Sequence, residues 1–115
     1  MKKIKDIKTA LAIFEKAALE QAEATLQGDY KTGNKRYDEI IKAAAFLKSE
    51  NAIDNLQNYL FHPSVGVRLW AACYWLPINE REGIKVLEEI VKRPDIHSLT
   101  AETTISEWKK GNLKF

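Results

Sequence analysis

A set of three apolar residues followed by a proline occurs twice in this 115-residue chain. The two copies, 31 residues apart, are Ile53, Leu56, Leu60 and Pro63, and then Ile84, Leu87, Val91 and Pro94. Spacings of three and four place the apolar residues on one face of a helix, and a proline ends such a pattern. Each copy therefore predicts a helix, a proline-bearing turn and a second helix, which is the plan of a short right-handed α-solenoid. An irregular helical bundle with two unrelated prolines is the alternative.

The rest of the chain has the same helical periodicity, which predicts an all-α protein of about six helices. The first helix is predicted over residues 7–26, with Gly28 as its stop. The second follows a cap at Asp29 and ends near residues 48–51, and the third covers residues 53–60. The fourth runs from residue 63 to 76, the fifth follows residue 79 and covers 84–91, and the sixth ends before Gly111.

Four further residues are predicted to start these helices. Asn51, with Asp54 three positions later, resembles a capping box for the third helix. Pro63 suits the first position of the fourth helix, where its missing N–H costs nothing. Asn79 and Ser98 are expected to cap the fifth and sixth helices.

Length and cysteine content indicate a single domain, residues 1–115, in a reducing compartment. The one cysteine, Cys73, lies in the apolar run AACYWL, where a small buried thiol is expected. Glutamates interrupt the first apolar segment, and no apolar run is long enough to span a bilayer. We therefore expect a cytoplasmic protein without a membrane partner.

The charge is almost balanced, with 18 Lys and Arg against 16 Asp and Glu. Such a balance gives little reason to expect nucleic acid or an anionic membrane as the main partner. The basic clusters KKIKDIK and KKGNLK, near the two ends, are interpreted as solubilising segments.

The segment HPSVGVRLWAACYWL, residues 62–76, resembles the second-helix signature of HEAT-like repeats. In that signature a polar or proline turn precedes Val-Arg, two variable residues and a pair of small residues, here Val67, Arg68, Ala71 and Ala72. Small residues let neighbouring helices approach closely, and the arginine can lie along the adjoining turn and donate hydrogen bonds to carbonyls or carboxylates. Arg68 is thus predicted to be structural, and its helix to lie at the centre of the stack.

The resemblance extends over residues 25–111, through GDYKTGNKRYDEI, GIKVLEEI and AETTISEWKKG. It identifies the chain as similar to small bacterial HEAT-like helical domains of unknown function, of the kind found near polymorphic toxins. The implied fold is six helices in HEAT-like pairs, and the implied function is that of an immunity protein. The segment SLTAETTISEW lacks the Val-Arg pair, so the register of the last helix stays open.

The sequence contains none of the phosphate-binding, zinc-ligand or nucleophile-elbow motifs that carry catalysis. His62 and His97 lie near a turn and a helix start, and both are interpreted as turn or cap residues. We therefore expect no enzymatic activity, no cofactor and no metal.

Two clusters are candidates for partner binding, because aromatic and arginine side chains carry much of the energy of protein interfaces. The first is Trp70, Tyr74 and Trp75 on the fourth helix, where the alternative is that neighbouring helices cover all three rings. The second is on the opening turns of the second helix, where the alternative is a solvated face; its members are Tyr30, Lys31, Asn34, Lys35, Arg36 and Tyr37.

The preferred hypothesis is a non-enzymatic protein-binding module, of the immunity type, that masks a toxin or another protein. A nucleic-acid-binding domain with a basic concave surface is the alternative, and strong salt dependence of binding would favour it. Self-association is a third hypothesis.

Overall fold

The computed structural model describes residues 4–115, so Lys2 and Lys3 of the first basic cluster lie outside the described residues. Within that range the chain is all-α, and no strand occurs there. The elements are α1 (Ile7–Gln27), α2 (Tyr30–Ser49), a 3₁₀ helix (Ile53–Phe61), α3 (Val65–Trp75), α4 (Glu80–Val91) and α5 (Ile96–Lys109). Across the described part of the chain, the helices are too short or too polar to cross a bilayer.

Three of the predicted helix ends are confirmed. Gly28 ends α1 in the left-handed conformation, with φ of 72°, and its N–H donates to carbonyls of the last turn. Asp29 caps α2, where its Oδ1 accepts from the Thr32 N–H at 3.1 Å. Asn79 caps α4 in the same way, accepting from the Glu82 N–H at 3.1 Å.

The predicted capping box at Asn51 and Asp54 is wrong. Asn51 has φ of 56° and ends α2, because the next residue, Ala52, donates its N–H to the Leu47 carbonyl at 2.7 Å. Asparagine tolerates this left-handed position better than most residues. The following helix therefore starts from Ala52, whose methyl group cannot accept a hydrogen bond, and it is a 3₁₀ helix.

Two other predicted helix starts are also wrong. Pro63 lies before α3, and the N-cap is Ser64, whose Oγ accepts from the Val67 N–H at 3.4 Å. α5 begins earlier than expected, because the Asp95 carboxylate caps it by accepting from the His97 N–H at 3.0 Å. Ser98 lies in the first turn, and its hydroxyl instead donates to the Val91 carbonyl at the end of α4.

As predicted for residues 62–76, this helix packs on more than one side, since α3 contacts α1, the 3₁₀ helix and α4. Eight of its eleven residues are buried. α3 approaches α1 so closely that a Cβ built on Gly66 would lie 2.5 Å from both the Ala18 carbonyl oxygen and the Ala22 Cβ. Small residues thus bring these two helices together.

The three tryptophans link neighbouring elements through their indole nitrogens. Trp70 Nε1 donates to Gln21 Oε1 of α1 at 3.1 Å, which joins α3 to α1. Trp75 Nε1 donates to Glu82 Oε1 at 2.6 Å, which joins α3 to α4. Trp108 Nε1 donates to Glu80 Oε1 at 2.6 Å, which joins α5 to α4.

Candidate functional site

A cleft lies over α3, between α2 and α5, and we call it the aromatic cleft. Its volume is about 200 Å³. The residues that line it are Tyr37, Leu69, Trp70, Cys73, Thr100, Thr104, Leu113 and Phe115. The size and the largely apolar lining suit one large side chain of a partner.

The structure brings together one residue from each predicted cluster. The rings of Tyr37 and Trp70 have centroids 5.4 Å apart and are tilted by 54°. The hydrogen bond from Trp70 to Gln21 holds the indole in a fixed orientation. The pair therefore forms a rigid aromatic surface contributed by two helices.

The surface beside the cleft continues along α2. Tyr30, Asn34, Tyr37 and Ile41 are spaced by four, three and four residues, so they lie on one face of the helix. Tyr30 is 81% exposed and Tyr37 is 44% exposed, and Ile41 is exposed as well. Three of the four residues on this face are therefore exposed aromatic or aliphatic side chains.

The structure corrects the prediction for Tyr74 and Trp75, which are each only 5% exposed. The ring of Tyr74 packs between Phe14 and Phe115, with centroid distances of 6.0 and 5.4 Å, and burial raises its pKa to about 12. Trp75 belongs to the core, and α4 covers its indole nitrogen. Neighbouring elements cover these two rings, so they offer no surface to a partner.

Arg36 and Lys31 differ in their surroundings. Arg36 bridges α1 and α2, with Nε 3.0 Å from Glu20 Oε1 and Nη1 2.6 Å from Glu39 Oε1. The hydrogen bond to Glu39 raises the pKa of Arg36, whose charge is compensated within the chain. Lys31 is exposed. Arg36 therefore links α1 to α2, and its charge is paired with carboxylates of the same chain.

The expected contacts of Arg68 and the expected state of Cys73 are both confirmed. Arg68 Nη1 donates to the carbonyl oxygens of His62 at 2.7 Å and Pro63 at 3.0 Å. Cys73 is buried, and desolvation raises the pKa of its thiol to about 12. A thiol that stays protonated near neutral pH is a poor nucleophile.

His62 lies in the turn before α3, and His97 lies in the first turn of α5. His62 Nδ1 accepts from the Ser64 N–H at 2.9 Å, so its Nε2 donates to Glu15 Oε2 at 2.7 Å. His97 is buried in the first turn of α5, and burial lowers its pKa. Within residues 4–115, no three His, Cys, Asp or Glu side chains are grouped as a metal site would require.

The sequence predicted only Tyr37 and Trp70 among the eight residues that line the cleft, and the six others are Leu69, Cys73, Thr100, Thr104, Leu113 and Phe115. The only available signal was the presence of Leu113 and Phe115 after the helix-ending Gly111. Comparison with known protein families, with curated proteins and with solved structures finds no match to this chain. The resemblance to HEAT-like domains therefore stays a prediction.

Proposed function

We propose that this protein is a non-enzymatic protein-binding module of the immunity type, which masks a toxin or another protein through the aromatic cleft. The observation that carries the proposal is the Tyr37–Trp70 pair, because it is held rigidly and stays partly open to solvent. Rigid aromatic side chains contribute large contact areas at little cost in conformational entropy. Tyr30 and Ile41 extend the contact surface along α2.

The chemistry of the cleft supports binding over catalysis. The lining includes one thiol, Cys73, and burial raises its pKa to about 12, so it stays protonated near neutral pH. The Thr100 and Thr104 hydroxyls donate to carbonyl oxygens of their own helix. The cleft therefore lacks, among its described residues, a base placed to activate a nucleophile.

We also propose that the helices stack as HEAT-like pairs, with the 3₁₀ helix and α3 as one pair and α4 and α5 as the next. Contacts between each of these elements and its successor support this arrangement. The hydrogen bonds of Arg68 to the preceding turn agree with the role that the resemblance implies for this residue.

The test is to capture partners from the native host with the tagged protein, purify the partner found, and measure its affinity by calorimetry. We expect Tyr37→Ala to weaken binding about tenfold, corresponding to roughly 1.4 kcal/mol, because the residue forms the rim of the cleft. Tyr30→Ala should weaken it less. Ile78→Ala is the matched control, since Ile78 is an exposed apolar residue outside the cleft.

Unchanged affinity in both tyrosine variants would contradict the proposal. Capture of nucleic acid, with an affinity that falls steeply with salt and does not depend on Tyr37, would instead support the alternative function. In that case the exposed Lys31 and Lys35 of α2 would be the first residues to replace.

A further inference from the structure

A second groove lies between the 3₁₀ helix and α4, and we call it the Phe61 groove. Its volume is about 400 Å³, and most of its lining is apolar. The lining residues, all different from those of the aromatic cleft, are Leu60, Phe61, Arg68, Glu82, Lys85, Val86 and Glu89.

Phe61 is the most conspicuous residue of this groove, because its side chain is 79% exposed. It is the last residue of the 3₁₀ helix, directly before the His62–Pro63 turn. Arg68 holds that turn through two hydrogen bonds to its carbonyls. The phenyl ring is therefore displayed next to a fixed backbone, which favours a contact surface over a loose chain segment.

Arg68 contributes a cation whose charge is not compensated nearby. Only Nη1 of its guanidinium makes hydrogen bonds within residues 4–115, and both acceptors are neutral carbonyls. No carboxylate in this range lies within ion-pair distance of it. Desolvation lowers the pKa of Arg68, and the neighbouring Arg93 charge adds to this effect. A partly desolvated guanidinium of this kind is stabilised by an incoming carboxylate.

The other charged groups that line the groove are two carboxylates and one lysine. The Glu82 carboxylate accepts a hydrogen bond from the neutral Trp75 indole at 2.6 Å, and the Glu89 carboxylate pairs with Lys92 at 3.2 Å. Lys85 is exposed and forms no ion pair with the described residues. The groove thus combines two cations that have no ion-pair partner among the described residues with two carboxylates, of which Glu89 is paired with Lys92 and Glu82 is held by a hydrogen bond to the Trp75 indole.

We propose that the Phe61 groove is a second interaction surface, which binds a protein segment carrying a carboxylate beside a large apolar side chain. The apolar side chain packs on Phe61 and Val86. The carboxylate pairs with the guanidinium nitrogens of Arg68 that the turn leaves unused, and Lys85 adds a second positive charge. The proposal concerns residues outside the aromatic cleft, so it does not depend on the proposed function of that cleft.

The test uses two small probes that differ in one charge, N-acetyl-phenylalanine and N-acetyl-phenylalaninamide. Each is titrated into the ¹⁵N-labelled protein to millimolar concentration, and backbone and Arg Nε–H resonances are followed by NMR. We expect saturable shifts at Phe61, Arg68 and Val86 with the acid. The amide should bind about tenfold more weakly, because it cannot form the charge-assisted hydrogen bonds.

Three variants test whether the groove residues bind the probes in a protein that stays folded, and a fourth variant is the control. Phe61→Ser should weaken the acid about tenfold without unfolding the protein, since the ring is largely exposed. Arg68→Lys keeps the charge but not the planar fork, and Lys85→Gln leaves the turn intact, so each should weaken the acid but not the amide. Ile78→Ala is the control and should change neither. Equal binding of acid and amide, shifts confined to the aromatic cleft, or no saturable shift in the groove would each overturn the proposal.

Discussion

The 3₁₀ helix and α4 contain the same pattern of apolar residues, yet they differ in helix type. Leu56 and Leu87 occupy equivalent positions, and both are completely buried. α4 starts from the Asn79 cap and has two glutamates in its first turn, which favour the N-terminus of an α-helix. The 3₁₀ helix starts from Ala52. The same apolar spacing therefore buries the equivalent leucines in both elements, whereas the helix starts differ, because α4 has a side-chain cap and the 3₁₀ helix has none.

Tyr59 helps to explain why residues 53–61 can form a 3₁₀ helix. Ile53, Leu56 and Tyr59 are three residues apart, so they align on one face when a turn contains three residues. The Tyr59 hydroxyl donates to the Leu11 carbonyl at 3.2 Å, which ties this face to α1. Tertiary contacts thus supply the stability that the missing cap would give.

The largest effect should come from truncating the equivalent leucines. We expect Leu56→Ala and Leu87→Ala each to lower the free energy of unfolding by about 2–5 kcal/mol, since both side chains are buried in one core. Urea denaturation followed by circular dichroism measures both. A loss at Leu56 of less than half the loss at Leu87 would show that the two copies are not equivalent in the core.

A smaller effect is expected from adding a methyl group at two glycines. In Gly66→Ala the new Cβ would meet the Ala18 backbone of α1 at 2.5 Å, so we expect a loss of about 1–3 kcal/mol. In Gly83→Ala the nearest atoms are Leu76 Cδ2 at 2.9 Å and the Ala72 carbonyl oxygen at 3.1 Å, so the overlap is smaller. Thermal unfolding should therefore rank Gly66→Ala as the less stable variant, and the reverse order would contradict the close α1–α3 approach.

The cap that distinguishes α4 gives the next prediction. Asn79→Ala removes the acceptor for the Glu82 N–H, and we expect it to cost about 1 kcal/mol. Asn79→Asp keeps an acceptor and should stay close to the wild type in urea denaturation. If the alanine variant were equally stable, the cap could not explain why α4 is an α-helix.

The smallest expected effect concerns pH and the two histidines. Burial lowers the pKa of His97 in the folded protein, so the unfolded chain binds a proton at this residue more readily. The stability that neutral His97 contributes is fully present above about pH 6.5, its pKa in the unfolded chain. This stability is lost as the pH falls through the lower pKa of the folded protein. We expect the urea midpoint to fall between pH 7.5 and 5.5 in the wild type. The charged neighbours that act on His97 are Asp95 and Arg93.

His97→Gln should reduce this fall, and His62→Gln is the matched control because His62 is the other histidine of the chain. Asp6 caps α1 by accepting from the Thr9 N–H at 2.7 Å. The lowered pKa values of Asp6 and of the capping residues Asp29 and Asp95 affect stability only at more acidic pH, near or below about 4. A pH dependence that disappears with His62 and persists without His97 would refute the assignment.

Local patterns in the sequence predicted the features that depend on near neighbours. The caps at Asp29 and Asn79 and the turn contacts of Arg68 join residues at most six positions apart. Asp95 was missed because Ser98, three residues later, has the same capping ability. The choice between them depends on the Val91 carbonyl, which only the arrangement of α4 and α5 brings near Ser98.

The candidate site was harder to predict, because it depends on contacts between distant residues. Tyr37 and Trp70 were singled out separately, and nothing in the local spacing shows that they meet. α3 is apolar on nearly every side, so periodicity could not show which of its aromatic rings would be covered. Their burial depends on Phe14, Phe115 and Glu82, which come from three other parts of the chain.

The three tryptophan hydrogen bonds give three of the helix junctions in this small protein their own spectroscopic signals. Indole N–H resonances are few and well separated from amide signals, and here each one reports a different pair of elements: α1 with α3, α3 with α4, and α4 with α5. Their loss during denaturation would show whether the helices separate together or one pair at a time. The same three signals would locate the junction that a bound partner disturbs.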